Sequence, residues 1–128
     1  MSDNGKALTP QENVTIAQLD KDLYAVVHLA TEDGLWYYGM KTRTPQSGSG
    51  FYPSKYHRYT IGYETRDQAL KAGVSAVIEN LQEHADWHCG KNGEPFYEHN
   101  NEWKQCSRLL AAAKEYETKR QSKQLALF

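Results

Sequence analysis

The chain of 128 residues is long enough for one domain with a modest core. Its formal net charge of −1 indicates neither a generally basic nucleic-acid-binding protein nor a protein attracted to anionic membranes. Two cysteines exclude a disulfide framework, and no stretch approaches the roughly 20 consecutive apolar residues of a membrane span. Because the residues after Met1 also lack an apolar signal region, we expect a cytoplasmic protein with no membrane partner.

The first element is predicted after a flexible N-terminus of residues 1–12. Residues 9–12 (TPQE) have the form of a helical capping box with proline at the first helical position, which favours a short helix. Residues 14–16 (VTI), however, are β-branched, and the alternation through them is typical of a strand. Of these alternatives we favour a strand over residues 14–19, closed by a turn at residues 20–22.

Three more strands are predicted before the first helix. Residues 23–30 (LYAVVHLA) are rich in strand formers, and the Asp-Gly pair in residues 32–34 is a strong hairpin signal. Residues 35–43 (LWYYGMKTR) are therefore the partner strand. Residues 44–54 (TPQSGSGFYPS) carry Gly, Pro and Ser at a density that predicts a long loop, and residues 55–63 (KYHRYTIGY) predict the last strand.

Two helices follow. A capping box at residues 65–68 (TRDQ) opens a helix to about Asp86, and the glycines around residues 90–93 break the chain. Asn101 is predicted to cap a last helix that ends at about Lys119. Apolar residues at helical spacing give each helix one inward face: Ala69, Leu70, Gly73, Val74, Val77, Ile78 and Leu81 on the first, and Trp103, Cys106, Leu109, Leu110 and Ala113 on the second.

This order of elements predicts an α+β fold, in which two helices pack on an antiparallel sheet of three to four strands. A single domain would cover residues 13–118, followed by a flexible tail over residues 119–128. Three segments, residues 34–39 (GLWYYG), 44–50 (TPQSGSG) and 65–70 (TRDQAL), are similar to parts of small α+β accessory domains of plasmid and prophage proteins, including extensions of ParB-type partition proteins. The ParB nuclease signature is absent, so the resemblance implies no activity.

The most specific motif is the last five residues, 124–128 (QLALF). They resemble the peptide with which bacterial proteins dock on the DNA polymerase β sliding clamp, whose pattern is Gln, Leu, Ser or Asp, Leu, Phe. Ala126 replaces the small polar residue, and the other positions match. Three large apolar residues after the charged run 119–123 (KRQSK) are unusual unless something receives them. Folding back onto the protein's own core, or extending the last helix, is the alternative.

The resemblance implies that four residues contact the clamp. Leu127 and Phe128 would fill apolar pockets, Gln124 would fix the register by hydrogen bonds, and Leu125 would add apolar contact. We therefore expect a non-enzymatic accessory protein of bacterial, phage or plasmid DNA metabolism, without a cofactor. The sequence also lacks a phosphate-binding loop, a nucleophile elbow and a Cys-His signature.

A second function, nucleic-acid binding, is indicated by residues 35–63, which contain no Asp or Glu and interleave cations with aromatic rings. Cations contact phosphates and rings stack on bases, so DNA or RNA is the alternative partner. A Tyr-rich core with ordinary surface cations, or a protein-contact surface, would give the same composition. The candidate residues are Trp36, Tyr38, Lys41, Arg43, Lys55, Tyr56 and Arg58.

A zinc site is the least favoured hypothesis. His84 and His88 share one face of the predicted helix, and Cys89 and Cys106 could complete a set of four ligands. Their spacing matches no familiar zinc finger, and ordinary surface histidines with buried thiols are the more frequent arrangement. We therefore predict no metal.

Overall fold

The protein is described by a computed structural model over residues 8–54 and 61–126, with side chains described as far as Lys123. The predicted α+β fold is confirmed: a four-stranded antiparallel sheet packs against two helices. The elements are β1 (Glu12–Asp20), β2 (Leu23–Glu32), β3 (Leu35–Arg43), β4 (Gly48–Phe51), α1 (Arg66–Trp87), a 3-10 turn (Tyr97–His99) and α2 (Asn100–Ala126). No helix in these ranges is long and apolar enough to cross a membrane.

The sheet has the strand order β1-β2-β3-β4, with every neighbouring pair antiparallel. The strand interpretation of residues 14–19 is confirmed, and the helical alternative is wrong because β1 pairs with β2 along its length. The β2–β3 hairpin turns at Asp33 and Gly34, whose φ angles are 55° and 82°. Two successive positive φ angles are typical of the type I′ turn that the Asp-Gly pair predicted.

The prediction of a loop over residues 44–54 was wrong in part, because β4 lies within it and pairs with β3 from Arg43 to Met40. A contact with α1 holds this short strand. The Asn80 side chain accepts a hydrogen bond from Thr42 Oγ1 (2.8 Å) and donates one to Ser49 Oγ (3.2 Å). The Gly- and Ser-rich composition of this segment predicted a loop. The segment forms a strand because it pairs with β3 and contacts Asn80 of α1, and neither contact is visible in the local sequence.

The strand predicted over residues 55–63 falls mostly on residues 55–60, which lie outside the described part of the chain. Its last residue, Tyr63, forms an isolated antiparallel bridge with Trp36. Each backbone N–H of this pair donates to the carbonyl of the other at 2.8 Å. The chain therefore returns beside the start of β3 before α1 begins.

Helix α1 begins at the predicted capping box. The Gln68 N–H donates to Thr65 Oγ1 (3.1 Å), and the Thr65 N–H donates to Gln68 Oε1 (3.2 Å). The predicted inward face is buried except for Ile78, which is partly buried. The core consists of this face, the inward residues of the sheet and part of α2; its fully enclosed side chains include Val27, Leu29, Val74, Val77, Leu81 and Leu109.

Helix α2 extends beyond its predicted end near Lys119 to Ala126, so the tail predicted from residue 119 is helical as far as Ala126. Side-chain pairs one turn apart support this charged segment. Lys119 Nζ lies 3.0 Å from Glu115 Oε1, and Arg120 donates to both oxygens of Glu117. Of the N-terminus predicted as flexible, the described part is attached: Leu8 N–H donates to Pro53 O, and Gln11 N–H to Leu29 O.

Candidate functional site

The sheet has one face packed on the helices and one face turned away from them. Along β2, Leu23, Ala25, Val27 and Leu29 are buried against the helices, whereas the residues between them point to the other side. The register of β3 places its own alternate residues beside these. We call the resulting surface, which comprises Tyr24, Val26, His28, Lys41 and Arg43, the open face.

A segment of the chain crosses the sheet and forms one wall of the open face. Phe51 to Pro53 passes over Gly39, where a Cβ atom would lie 2.3 Å from Phe51 O and 2.7 Å from Pro53 N. Only glycine permits this close approach. The crossing brings the Tyr52 ring onto the ring of His28, with centroids 5.1 Å apart and planes inclined by 30°.

Beside this wall lies a groove of about 400 Å³. Its lining includes His28, Lys41, Arg43 and Tyr52, together with the glycines of β4. Gly48 carries no side chain beside Arg43, and the missing side chain of Gly50 lets β4 approach the β3 backbone, where a Cβ atom would lie 2.3 Å from Met40 O. Tyr52 remains 58% exposed, and the face of its ring that does not contact His28 is accessible from the groove.

The groove is positively charged. Lys41 Nζ lies 5.7 Å from the centroid of the Tyr24 ring, a cation–π arrangement that leaves the ammonium exposed. Within residues 24–28 and 39–43 no Asp or Glu is present. The nearest carboxylates in sequence are Asp22 in the β1–β2 turn, Asp20 at the end of β1 and Glu32 at the end of β2. A phosphate or carboxylate ligand would therefore meet two cations and no opposing charge in these segments.

His28 contributes a neutral ring to this surface. Its Nδ1 lies 2.6 Å from Asn13 Oδ1, an acceptor, so Nδ1 carries the proton and donates to it. Burial, and secondarily the charge of Lys41, lowers the pKa of His28 below its usual range. The imidazole is therefore uncharged at neutral pH and acts as an aromatic surface.

The structure separates the nucleic-acid candidates that were predicted together. Lys41 and Arg43 lie on the open face, but Trp36 and Tyr38 lie on the opposite face and pack against the core. The Tyr38 ring contacts those of Phe51 and Tyr63 at centroid distances of 5.7 and 6.4 Å. The remaining candidates fall outside the described residues: Lys55, Tyr56 and Arg58.

Three aromatic residues on or beside the open face were not among the candidates named from the sequence: Tyr24, His28 and Tyr52. The first two had a usable signal, because strict alternation along residues 23–30 already places them on the side opposite to Leu23 and Leu29. Tyr52 belongs to the aromatic and basic segment 35–63, but its place beside His28 depends on the crossing over Gly39, which composition does not indicate.

The residues considered for zinc take other roles. His88 is buried, with Nδ1 3.1 Å from His99 Nδ1 and Nε2 3.5 Å from Glu102 Oε2. The Cys89 thiol donates to Ala85 O, and burial raises the pKa of the buried Cys106 thiol. Over residues 8–54 and 61–126, no group of three or more His, Cys, Asp or Glu side chains could hold a metal ion, so His84 takes part in no such group.

The peptide resembling a clamp-docking motif follows an exposed segment of α2. Gln121, Ser122 and Lys123 are all exposed, and the backbone is helical to Ala126. The side chains of Gln124 and Leu125 lie outside the description, as do Leu127 and Phe128 entirely. The contacts expected of these four residues therefore remain predictions.

Comparison with known proteins assigns no family to this chain. No family model matches it, and neither curated proteins nor solved structures gave a significant match. The functional inference therefore depends on the residues themselves.

Proposed function

We propose that the protein docks on the bacterial DNA polymerase β sliding clamp through residues 124–128 (QLALF), and so recruits its domain to the clamp or competes there with other clamp partners. The observation that carries the proposal is the match of this motif at the end of an exposed helical segment. Ala113 is the last fully buried residue of α2 as far as Lys123. At about 1.5 Å per residue, Ala126 lies about 20 Å further along the helix axis.

The motif has the chemistry that a short docking peptide needs. Leu127 and Phe128 would be the apolar anchors, and burial of each would contribute about 1.5–3 kcal/mol before ordering costs. Gln124 offers both a donor and an acceptor to the partner's backbone. Ala126 is small enough to replace the Ser or Asp of the family pattern without a clash, although it forms no side-chain hydrogen bond.

Docking in an extended form requires the last turn of α2 to open. Residues 124–126 would leave the helix, and the final carbonyls of a helix lack intrahelical partners in any case. Terminal turns therefore open at little cost, but ordering the extended peptide uses part of the gain from its anchors. The expected result is weak and exchangeable docking, which suits a recruitment peptide.

The test is binding to purified β clamp, measured by fluorescence anisotropy or by co-elution on size exclusion. We expect the full chain to bind, whereas deletion of residues 124–128 or a Leu127→Ala, Phe128→Ala double variant abolishes binding. Gln121→Ala and Ser122→Ala change exposed α2 positions outside the motif and serve as matched controls. A synthetic peptide of residues 120–128 should compete with the full chain.

Thermal unfolding of the same variants separates the two interpretations of the tail. If the motif docks on another molecule, its deletion leaves the unfolding midpoint unchanged. Co-elution of the deleted form with the clamp, or a fall of several degrees in the midpoint on deletion, would overturn the proposal in favour of a tail that packs on its own domain.

A further inference from the structure

We propose that the open face of the sheet, around Lys41, Arg43 and Tyr52, is a binding site for single-stranded nucleic acid. This site is independent of the docking peptide, because all its residues belong to the sheet and to the segment that crosses it. It also differs from the site predicted from composition, since it excludes Trp36 and Tyr38, which pack on the other face.

The two cations are spaced so that both can contact the phosphates of one nucleic-acid strand. Lys41 and Arg43 alternate on β3, so their side chains leave the same face about 7 Å apart. Both are exposed, and neither has a carboxylate neighbour within residues 39–43. Exposed cations in a row, without opposing charges between them, attract the phosphates of a strand and release its counterions on binding.

The aromatic rings supply the second part of the recognition. Tyr52 is 58% exposed, and one face of its ring stacks on His28. The other face is therefore free to stack on a planar ligand such as a nucleobase. Bases stack on such rings whatever their identity, provided that they are unpaired. A duplex already stacks its bases internally, and its paired bases offer no free face to Tyr52. This difference favours a single strand over a duplex.

Gly48 of β4 leaves space beside Arg43. A Cβ atom at Gly48 would lie 3.5 Å from Arg43 Cδ, in ordinary contact with that side chain. Because glycine has only a hydrogen there, room remains beside the Arg43 guanidinium. The groove of about 400 Å³ falls within the range of clefts that hold small ligands. A base on Tyr52 and its phosphate near Arg43 would fit this volume together.

The experiment is fluorescence anisotropy with a labelled oligothymidylate of about 20 nucleotides, titrated with the full chain across a salt series. We expect the Lys41→Gln, Arg43→Gln double variant to lose at least tenfold in affinity, and its log–log salt slope to fall by about 0.7 for each cation removed. Tyr52→Ala should lose roughly tenfold, whereas Tyr52→Phe keeps the ring and should bind like the wild type.

Matched controls distinguish a site from general charge. Lys71→Gln and Arg108→Gln remove exposed cations from the helices and should leave affinity within about twofold. Gly48→Glu places a carboxylate beside Arg43 without removing any cation and should abolish binding, whereas Gly48→Gln should not. Circular dichroism and the unfolding midpoint identify any variant that fails to fold. If the Lys41→Gln, Arg43→Gln variant fails to fold, the comparisons of Tyr52→Ala with Tyr52→Phe and of Gly48→Glu with Gly48→Gln test the proposal.

Several outcomes would overturn the proposal. These are no salt-sensitive binding at low ionic strength, an equal loss in the helix variants, affinity for a duplex as high as for the single strand, or equal binding of a polyglutamate peptide through the same residues. Deletion of residues 124–128 should leave oligonucleotide binding intact. The proposals for nucleic-acid binding and for clamp docking can therefore be disproved independently.

Discussion

Gly73 of α1 lies directly over Val27 of β2, so closely that a Cβ on Gly73 would stand 2.5 Å from Val27 Cγ1 and 3.1 Å from Cγ2. Both residues are fully or nearly fully enclosed. A β-branched side chain in a strand has little freedom to rotate away. The distance between the helix and the sheet is therefore set by the absence of a side chain at residue 73.

Gly73→Ala should destabilise the protein even though alanine is the better helix former. The gain in helix propensity is about 1 kcal/mol, and overpacking of a closed core costs about 1–3 kcal/mol, so we expect a net loss of up to about 2 kcal/mol. Urea unfolding measures it. In a Val27→Ala background the same substitution should cost less or become favourable. A stabilised Gly73→Ala single variant would show that the helix can move off the sheet.

Asn80→Ala should destabilise the protein and loosen β4. The variant leaves the Thr42 hydroxyl, which belongs to a residue only 4% exposed, without its partner on α1, and such an orphaned group costs about 1–3 kcal/mol. Hydrogen exchange should rise in β4 more than in β2. Adding Thr42→Val should recover part of the loss, because the unpaired hydroxyl is then removed; no recovery would contradict this explanation.

The stability of the fold should fall as the pH drops below about 6.5. Burial lowers the pKa of His88, with Glu102 opposing the shift and His99 and His84 reinforcing it. The unfolded chain takes up its proton near the usual pKa, and the folded chain does so only at lower pH. Stability is therefore full above the unfolded pKa and is lost as the pH falls toward the folded one.

Urea midpoints between pH 5 and pH 7.5 test this pH dependence. His88→Asn should flatten part of the slope, and His28→Asn a further part, because burial also lowers the pKa of His28. An unchanged slope in both variants would show that other groups control the acid sensitivity.

Arg66→Ala should have only a small effect. Arg66 at the start of α1 donates to both carboxylate oxygens of Glu12 at the start of β1, through Nε at 2.8 Å and through Nη2. The two side chains are 38% and 42% exposed, so solvent screens the pair, and we expect a loss of about 0.2–1 kcal/mol that decreases with salt. A loss well above this range would mean that the pair also positions β1.

The same pair adds a second acid-sensitive contribution. The hydrogen bonds from Arg66 hold the pKa of Glu12 below its usual value of 4.5. Its stabilising effect is therefore complete above that value and is lost as the pH falls through the folded pKa. Glu12→Gln should remove this small contribution, measured as a shallower fall of the urea midpoint between pH 5 and pH 3, whereas an equally steep fall in the variant would contradict it.

Much of the fold could be predicted because its signals are local. The alternation in β2, the Asp33-Gly34 turn and the Thr65 capping box each determine their element within a few residues. By contrast, β4 depends on pairing with β3 and on Asn80, which is distant in sequence. The end of α2 was predicted too early although a local signal was present, because Glu115 and Lys119 are four residues apart and pair along the helix.

The candidate site was only half predictable, for a geometric reason. Composition marked residues 35–63 as basic and aromatic, but alternation along β3 sends Trp36 and Tyr38 to one side and Lys41 and Arg43 to the other. Which side remains exposed depends on where the helices pack, and that is a property of the whole domain.

The close passage of the chain over Gly39 has a further effect on the sheet. Beyond this crossing on the same side, Ala30 and Tyr37 are sealed from water at 1% and 7% exposure. A methyl group at residue 39 would push the segment from Phe51 to Pro53 away from the sheet and expose the apolar side chains on this face. A larger residue at position 39 is therefore expected to expose apolar surface and to favour aggregation of the protein.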